Sequence, residues 1–494
     1  MKFKVKNIKV STGSVFVVLV DSKDALDLGV FSGDRVNISF GKKSLIALVN
    51  ISKDAMVKDG EIGLYLDVTN ELALKSGSIV SVYREAKPKS LVAIRKKLYG
   101  NRLSEKEIYD IVDDVANDRL TDIETTYFIA GGLASGLNLK ETTYLTKAMI
   151  DTGETITFPK NKIVVDKHCI GGIAGNRTTP ITVAIEAAAG YTVPKTSSRA
   201  ITSPAGTADT MEVICNVSLS KEQIMKTIKK AGACLVWGGA LNLAPADDNF
   251  IHVEHSLGID SCGQLIASVL SKKGSVGSTH VLIDIPVGKD AKVRSKSYAR
   301  TMASLFRKVG KSIGMKVKVI TTDGSQPIGH GMGPALEAKD VLRVLQNHPL
   351  APTDLKEKGI LLAAESFEMH GVKNPKDKAR KLLESGAAWK KFVEIVSAQG
   401  VKVLDPDKIR NGKYSYAFKA IKSGKIIELN NKYFSRTSSV AGAPRDIYAG
   451  IYLNKHVNDE VSKGETIFTL YSDSEDRLER AKAYFAGMEG IKIK

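Results

Sequence analysis

The sequence predicts a multidomain α/β protein: a small N-terminal β domain, a helical domain, a central α/β domain with a mostly parallel sheet, and a C-terminal α+β domain. Three observations carry that expectation. A length of 494 residues exceeds one core and calls for about three or four domains. From Lys162 onward, short apolar strands alternate with helical stretches, which is how a parallel sheet with crossover helices is written. On either side of that region the pattern changes, to β-branched runs near the start and to a looser α+β mixture after Asn347.

Composition narrows the class. Hydrophobic residues make up 43% and charged residues 26% of the chain, as in an ordinary globular protein. No apolar run approaches the ~20 residues that span a bilayer, and Met1-Lys-Phe-Lys-Val-Lys lacks a signal-peptide core. Cys169, Cys215, Cys234 and Cys262 show no paired metal spacing, so the expectation is a reducing, cytoplasmic setting without disulfides or membrane partners. The net charge of +18 is dispersed, often beside acids as in Lys221-Glu222. A nucleic-acid binder clusters its cations with aromatics. Here the expectation is a solvated basic surface that favours encounter with small phosphate-bearing substrates.

Residues 1–84 form the expected β domain, with strands at Phe3–Lys6, Ser14–Val20, Arg35–Phe40, Leu45–Val49 and Ile79–Val82. No catalytic constellation falls in it, so a packing or assembly role is expected. Lys87-Pro-Lys-Ser reads as a linker. The helical domain then takes residues 88–155 and about 245–275. Capping boxes open its helices at Ser104 with Glu107 and at Thr121 with Glu124; Ile108, Ile111, Val112 and Val115 make a core-facing stripe. The α/β domain takes residues 160–244 and about 276–340, with buried strands at Ala233–Trp237 and Thr279–Pro286. Asp247-Asp248 lacks a third metal ligand at sensible spacing and reads as a helix start or polar rim. Ser268 and Lys272 share a helix face. The C-terminal domain takes residues 345–494, and Ala449 to Leu470 has the strand-turn-strand rhythm of hammerhead-like hairpins.

The most informative stretch is Lys162–Glu212. Ile163-Val164-Val165 suits a buried strand. It is followed by Asp166-Lys-His-Cys-Ile-Gly-Gly172 and a helix from about Pro180 to Ala189. A second strand at Tyr191–Val193 leads to a turn in which Ser197, Ser198, Thr202, Ser203 and Thr207 supply five hydroxyls and Arg199 a charge. Glycines let N–H groups approach an anion and helix N-termini add a favourable dipole. The glycines alone fit a tight strand-to-helix turn equally well; two hydroxyl-rich turns after successive strands favour phosphate. No Gly-Lys-Ser/Thr follows, so this is not the P-loop of a kinase, and Gly-Gly-Ile-Ala-Gly is not the dinucleotide pattern.

Ser197-Ser-Arg-Ala-Ile-Thr-Ser-Pro-Ala-Gly-Thr-Ala-Asp-Thr-Met-Glu212, together with the Asp166–Gly172 run and Thr321–Glu337, resembles the thymidine/pyrimidine-nucleoside phosphorylase family. The extra N-terminal domain resembles that family's archaeal AMP phosphorylase branch. The resemblance implies a cytoplasmic homodimer or larger homo-oligomer that needs no cofactor or metal, with inorganic phosphate as co-substrate attacking C1′ of a nucleotide. It places phosphate at Lys167, Cys169, Ser197 and Thr207. It places nucleotide at Gly172, Ser198, Arg199, Ala200, Ile201, Thr202, Ser203, Thr207, Ser268, Lys272 and Lys292, and the proton donor at Asp260, with His168 in an orienting or catalytic role. Cys169 stands where relatives commonly carry Ser. Phe250-Ile-His-Val-Glu-His255 lacks the base-reading Arg of pyrimidine-specific relatives, which leaves His252 and His255 unassigned. The expected reaction is AMP + phosphate → adenine + ribose 1,5-bisphosphate, with CMP and UMP as further substrates. The alternative is nucleoside phosphorolysis.

Overall fold

In a computed structural model, residues 1–494 are described except 14, 54–55, 201–202, 242 and 260, and residues 255 and 257 by backbone alone. The chain divides into two units, Met1–Gly131 and Gly132–Lys494.

The first unit opens with β1 (Lys2–Ile8), β2 (Val17–Asp21), α1 (Ser22–Leu28), β3 (Arg35–Phe40), β4 (Lys43–Ser52), β5 (Glu61–Tyr65), α2 (Leu66–Glu71) and β6 (Ile79–Arg84). The strands close into a barrel in the order β1-β5-β2-β4-β3-β6. Alternate residues such as Val18, Val20, Val36, Ile38, Val80 and Val82 fill its interior, within the β-branched runs by which the sequence marks these strands. The strand β5 escapes that pattern. Gly63 sits at its middle because a Cβ there would lie 3.0 Å from Val57 and 3.1 Å from Leu19. Helices α3 (Ser90–Leu98), α4 (Glu105–Ala116) and α5 (Asp122–Ser135) follow. The Ser104–Glu107 box caps α4, and Thr121 exchanges bonds with Glu124 ahead of α5.

The second unit carries α6 (Leu139–Asp151), β7 (Val165–Cys169), α7 (Thr178–Ala188), β8 (Val193–Ser197), α8 (Thr207–Ile214), α9 (Lys221–Ala231) and β9 (Ala233–Trp237). It continues through α10 (Pro245–Leu257), α11 (Cys262–Ser275), β10 (His280–Val287), α12 (Lys296–Ser312), β11 (Lys316–Asp323), β12 (Gly331–Met332) and α13 (Pro334–Leu345). Strands β11, β10 and β7 pair in parallel, as do β8 and β9. A parallel bridge between Val164 and Thr192 joins the two groups. The sheet is therefore parallel, and the ends of β7 and β8 that feed α7 and α8 lie side by side.

Both of those strands run further into polar sequence than the apolar runs predict. Strand β7 extends through Asp166-Lys167-His168-Cys169 rather than ending before them. Buried charges are held there by mutual pairing: Asp166 meets Lys273 at 2.9 Å and Lys195 at 3.7 Å. An apolar pattern has no symbol for a strand whose interior is ionic.

Helices α14 (Thr353–Glu368), α15 (Pro375–Glu384) and α16 (Ala387–Gln399) pack Leu355, Ile360, Phe367, Phe392 and Ile395 into one core with Ile181, Ile185 and Val341. The rest is β13 (Tyr414–Lys419), β14 (Gly424–Leu429), α17 (Asn431–Ala441), β15 (Gly450–Leu453), β16 (Glu460–Val461), β17 (Thr466–Ser472), α18 (Glu475–Ala486) and β18 (Ile491–Ile493). Here an antiparallel sheet β12-β15-β17-β13 is packed by Phe434, Phe468 and Phe485, whose rings lie 4.8–5.3 Å apart.

Candidate active site

Lys167, central in β7, is fully buried and points toward the start of α7. Its Nζ donates to Thr178 Oγ1 at 2.8 Å and to Thr179 Oγ1 at 3.3 Å. Burial lowers the pKa of its ammonium, against the pull of Cys169 and Asp284. Asp284 on β10 accepts from Thr322 at 2.6 Å and lies 3.3 Å from Lys358 Nζ. On the same face of β7, the Cys169 sulfur accepts from Asn176 at 3.3 Å. Burial pushes that thiol up to about 11, so it remains a neutral S–H, a weak donor.

The opposite face of β7 carries Asp166 and half-buried His168. Burial and the surrounding Lys273, Lys195, Lys272 and Lys167 hold the His168 imidazole well below its ordinary pKa. It is neutral at pH 7, which suits an orienting ring better than a stored proton.

The glycine turn then wraps the chain toward α7. Gly172 has φ of 90°, and a Cβ on it would fall 2.5 Å from the backbone nitrogen of Lys292. Only glycine brings the two loops this close. Lys292 itself is exposed, at the end of the loop that follows β10.

The second turn, between β8 and α8, is organised by Asp209. Its carboxylate accepts from the Ala200 and Gly206 N–H groups at 2.7 and 2.8 Å. Arg199 is held by Asp209 at 3.1 Å and Glu212 at 2.6 Å and lies over the Trp237 ring. Its charge is thus largely neutralised within the turn. Ser203 donates to the Ala205 carbonyl at 2.8 Å. Ser197 is half-buried at the end of β8, and Ser198 is exposed. Ile201 and Thr202 lie outside the described residues.

Ser268 and Lys272 do share one face of α11, and both converge on a single carboxylate. Asp247, fully buried in the first turn of α10, accepts from Ser268 Oγ at 2.9 Å and meets Lys272 Nζ at 2.6 Å. Burial pulls the Lys272 pKa down, but Asp247, Asp248 and Glu254 outweigh it and hold the ammonium above its ordinary value. Asp247 does mark a helix start, as the sequence suggests. It also fixes the two candidate ligands of the neighbouring helix, which spacing alone does not reveal. Asp260, whose place in the chain directly precedes the Ser261 cap of α11, lies outside the described residues, as does the side chain of His255. His252 is exposed on α10.

Sequence reasoning also passed over Arg177, Thr178, Thr179 and Glu337. Arg177 is buried and bonds Glu337, Thr207 and the Ala205 carbonyl, so it spans the two turns. The available signal was Arg-Thr-Thr-Pro at a strand-to-helix junction, since a buried guanidinium always demands acceptors.

Two turns rich in backbone donors and hydroxyls thus end adjacent parallel strands, an arrangement that suits anions. Residues 161–389 match the model of the glycosyl transferase family a/b domain, residues 92–153 its helical bundle domain, and residues 428–492 the pyrimidine nucleoside phosphorylase C-terminal domain. The chain is 42% identical to AMP phosphorylase 1 of Archaeoglobus fulgidus over 97% of its length and 95% of that relative. It is 43% identical to AMP phosphorylase of Natronomonas pharaonis, over 97% and 95%. A putative thymidine phosphorylase of Legionella pneumophila (strain Paris) is 44% identical, over 90% and 86%. The protein belongs to the thymidine/pyrimidine-nucleoside phosphorylase family of glycosyl transferases. The anthranilate phosphoribosyltransferase of Thermus thermophilus shares the fold, with a TM-score of 0.53 at 18% identity over 62% of this chain and 99% of that one.

Proposed function

We infer that the chain catalyses phosphorolysis of nucleoside 5′-monophosphates, taking AMP and phosphate to adenine and ribose 1,5-bisphosphate, with CMP and UMP as further substrates. The observation that carries this reading is the pairing of two hydroxyl-lined turns at the N-termini of α7 and α8, at the ends of adjacent parallel strands. A nucleoside needs one anion site, for the attacking phosphate; a nucleotide needs a second for its 5′-phosphate. Likeness to relatives named AMP phosphorylase over 97% of the chain supports the same reading.

In the proposed reaction a phosphate oxygen attacks C1′ as the C1′–N bond breaks and its electron pair passes to the base. Lys167, Thr178 and Thr207 are the groups assigned to orient and desolvate the nucleophile. Asp260 is assigned to protonate the departing base, with His168 orienting. Lys292 and the hydroxyls of the β8–α8 turn are assigned to the nucleotide. No cofactor or metal takes part, so full activity in EDTA is expected. The enzyme is proposed to work in the cytoplasm as a homodimer or larger homo-oligomer on small molecules, without nucleic acid or membrane. Light scattering of the purified chain at several concentrations checks the assembly.

A specific observation keeps the nucleoside reading in play: 44% identity to a protein named putative thymidine phosphorylase, alongside Arg199 being occupied by its own turn. The deciding measurement is kcat/KM for AMP against adenosine, thymidine and uridine, with Lys292→Ala alongside. AMP is expected to be preferred by at least tenfold, and Lys292→Ala to erase most of that margin. Preference for unphosphorylated nucleosides, untouched by the Lys292 change, would refute the nucleotide assignment.

A further inference from the structure

Arg177 ends the glycine turn and stands at the threshold of α7. Three of its N–H groups are committed: Nε to Glu337 Oε2 at 2.6 Å, Nη1 to Thr207 Oγ1 at 2.9 Å, and Nη2 to the Ala205 carbonyl at 2.7 Å. Glu337, on α13 and fully buried, also accepts from Thr210 Oγ1 at 3.1 Å and the Gly333 N–H at 3.3 Å. One side chain thereby ties the turn after β7, the turn after β8 and the start of α13 into a single body.

The bond to Thr207 has a chemical consequence. A guanidinium has only donors and does not deprotonate in proteins. Thr207 Oγ1 must therefore accept from Arg177, and its own hydrogen must point elsewhere. Thr178 and Thr179 likewise accept from Lys167 Nζ in its ammonium form. The Thr207 hydroxyl, and those of Thr178 and Thr179 while Lys167 is protonated, are thus left as donors at the N-termini of α8 and α7.

We propose that Arg177 is a positioning residue for the incoming phosphate: held by Glu337, it fixes the Thr207 hydroxyl as an obligate donor toward that phosphate. Arg177 acts through Thr207 rather than by touching phosphate. The proposal rests on Thr207 serving inorganic phosphate, but not on which glycosyl donor the enzyme prefers.

The test is a double-mutant cycle on the full-length protein with Arg177→Gln, Thr207→Val and the pair. Phosphate KM is read with whichever donor is turned over, AMP or thymidine, so failure of the nucleotide reading is seen separately. Arg177→Gln is expected to raise phosphate KM at least tenfold while the donor KM stays within about twofold, and the pair is expected to be no worse than Thr207→Val alone. Thr207→Ser, which retains the hydroxyl, is expected to recover most of the loss seen in Thr207→Val. Additive effects of the two changes, or a donor KM rising in step with phosphate KM, would overturn the proposal. Should Arg177→Gln not fold, Arg177→Lys keeps a cation beside Glu337 but loses the fork, and its cycle with Thr207→Val carries the same prediction. If no variant turns over, titration calorimetry with inorganic phosphate gives the same comparison as changes in Kd, with the same two outcomes overturning it.

Discussion

Lys167 and Lys272 show how one residue type is put to two uses. Lys167 is enclosed by hydroxyls and its charge is destabilised by burial; an arriving dianion would restore the favourable pairing. A hydrogen bond to a charged group contributes about 1.5–3 kcal/mol, so Lys167→Ala should lower kcat/KM for phosphate by roughly 10- to 150-fold. Initial rates at varied phosphate, with circular dichroism to confirm the fold, check this. Lys272 is instead kept charged by Asp247. Removing that carboxylate's pull in Asp247→Asn lowers the Lys272 pKa, so the protonated form is lost at lower pH. The basic limb of the kcat/KM profile for nucleotide should move to lower pH, and a limb that stays in place would detach Lys272 from substrate. Lys167 was legible because it stands in a motif. Asp247 was legible only as a helix start, because its partners lie 21 and 25 residues away.

At the scale of elements, α7 carries a buried acid whose effect appears in stability. Burial pushes the Glu186 carboxyl from 4.5 up to about 8, with Asp166 adding and Lys167 and Lys195 opposing. The folded chain thus binds more protons than the unfolded chain between those two pH values. That contribution is complete below the unfolded pKa and is lost as pH rises through about 8. Glu186→Gln, which cannot ionise, should gain on the parent as pH rises. The Tm difference between the two is expected to shift by at least ~3 °C in the variant's favour from pH 5 to pH 9. The turn before α7 offers a second contrast. Gly171 and Gly172 both have φ near 90°, but a Cβ on Gly171 meets open space whereas one on Gly172 meets the Lys292 backbone. Gly172→Ala should therefore cost at least tenfold in kcat/KM for AMP, and Gly171→Ala clearly less. Equal losses would mean that backbone strain, not the approach of the Val287–Lys292 loop, sets the requirement.

Across the whole molecule, the barrel closes on itself with its own core, and no residue of the candidate site comes from it. Its expected role is assembly. A chain beginning at Lys87 should keep kcat for AMP within about threefold while the number of subunits per particle, from light scattering, falls. Loss of turnover at an unchanged subunit number would give the barrel a catalytic duty instead. In the proposed reaction the work is divided between the turns at the strand ends, assigned to phosphate groups, and Ser268 and Lys272 of α11, both held by Asp247.

The sequence by itself determined the multidomain α/β class, most strands of the N-terminal β domain as β-branched runs, the capped helices, the parallel character of the central sheet and the family. Each of these is written in local periods, turn chemistry or contiguous motifs, and local patterns survive without knowledge of distant partners. Only the tertiary structure decided that Asp166–Cys169 is strand, that Arg199 is neutralised by Asp209 and Glu212, and that Arg177 joins both turns to Glu337, 160 residues along the chain. The physical reason is that a charge taken out of water is tolerated only where partners meet it. Folding selects those partners, whether 10 residues along, as Asp209 is from Arg199, or 160, as Glu337 is from Arg177.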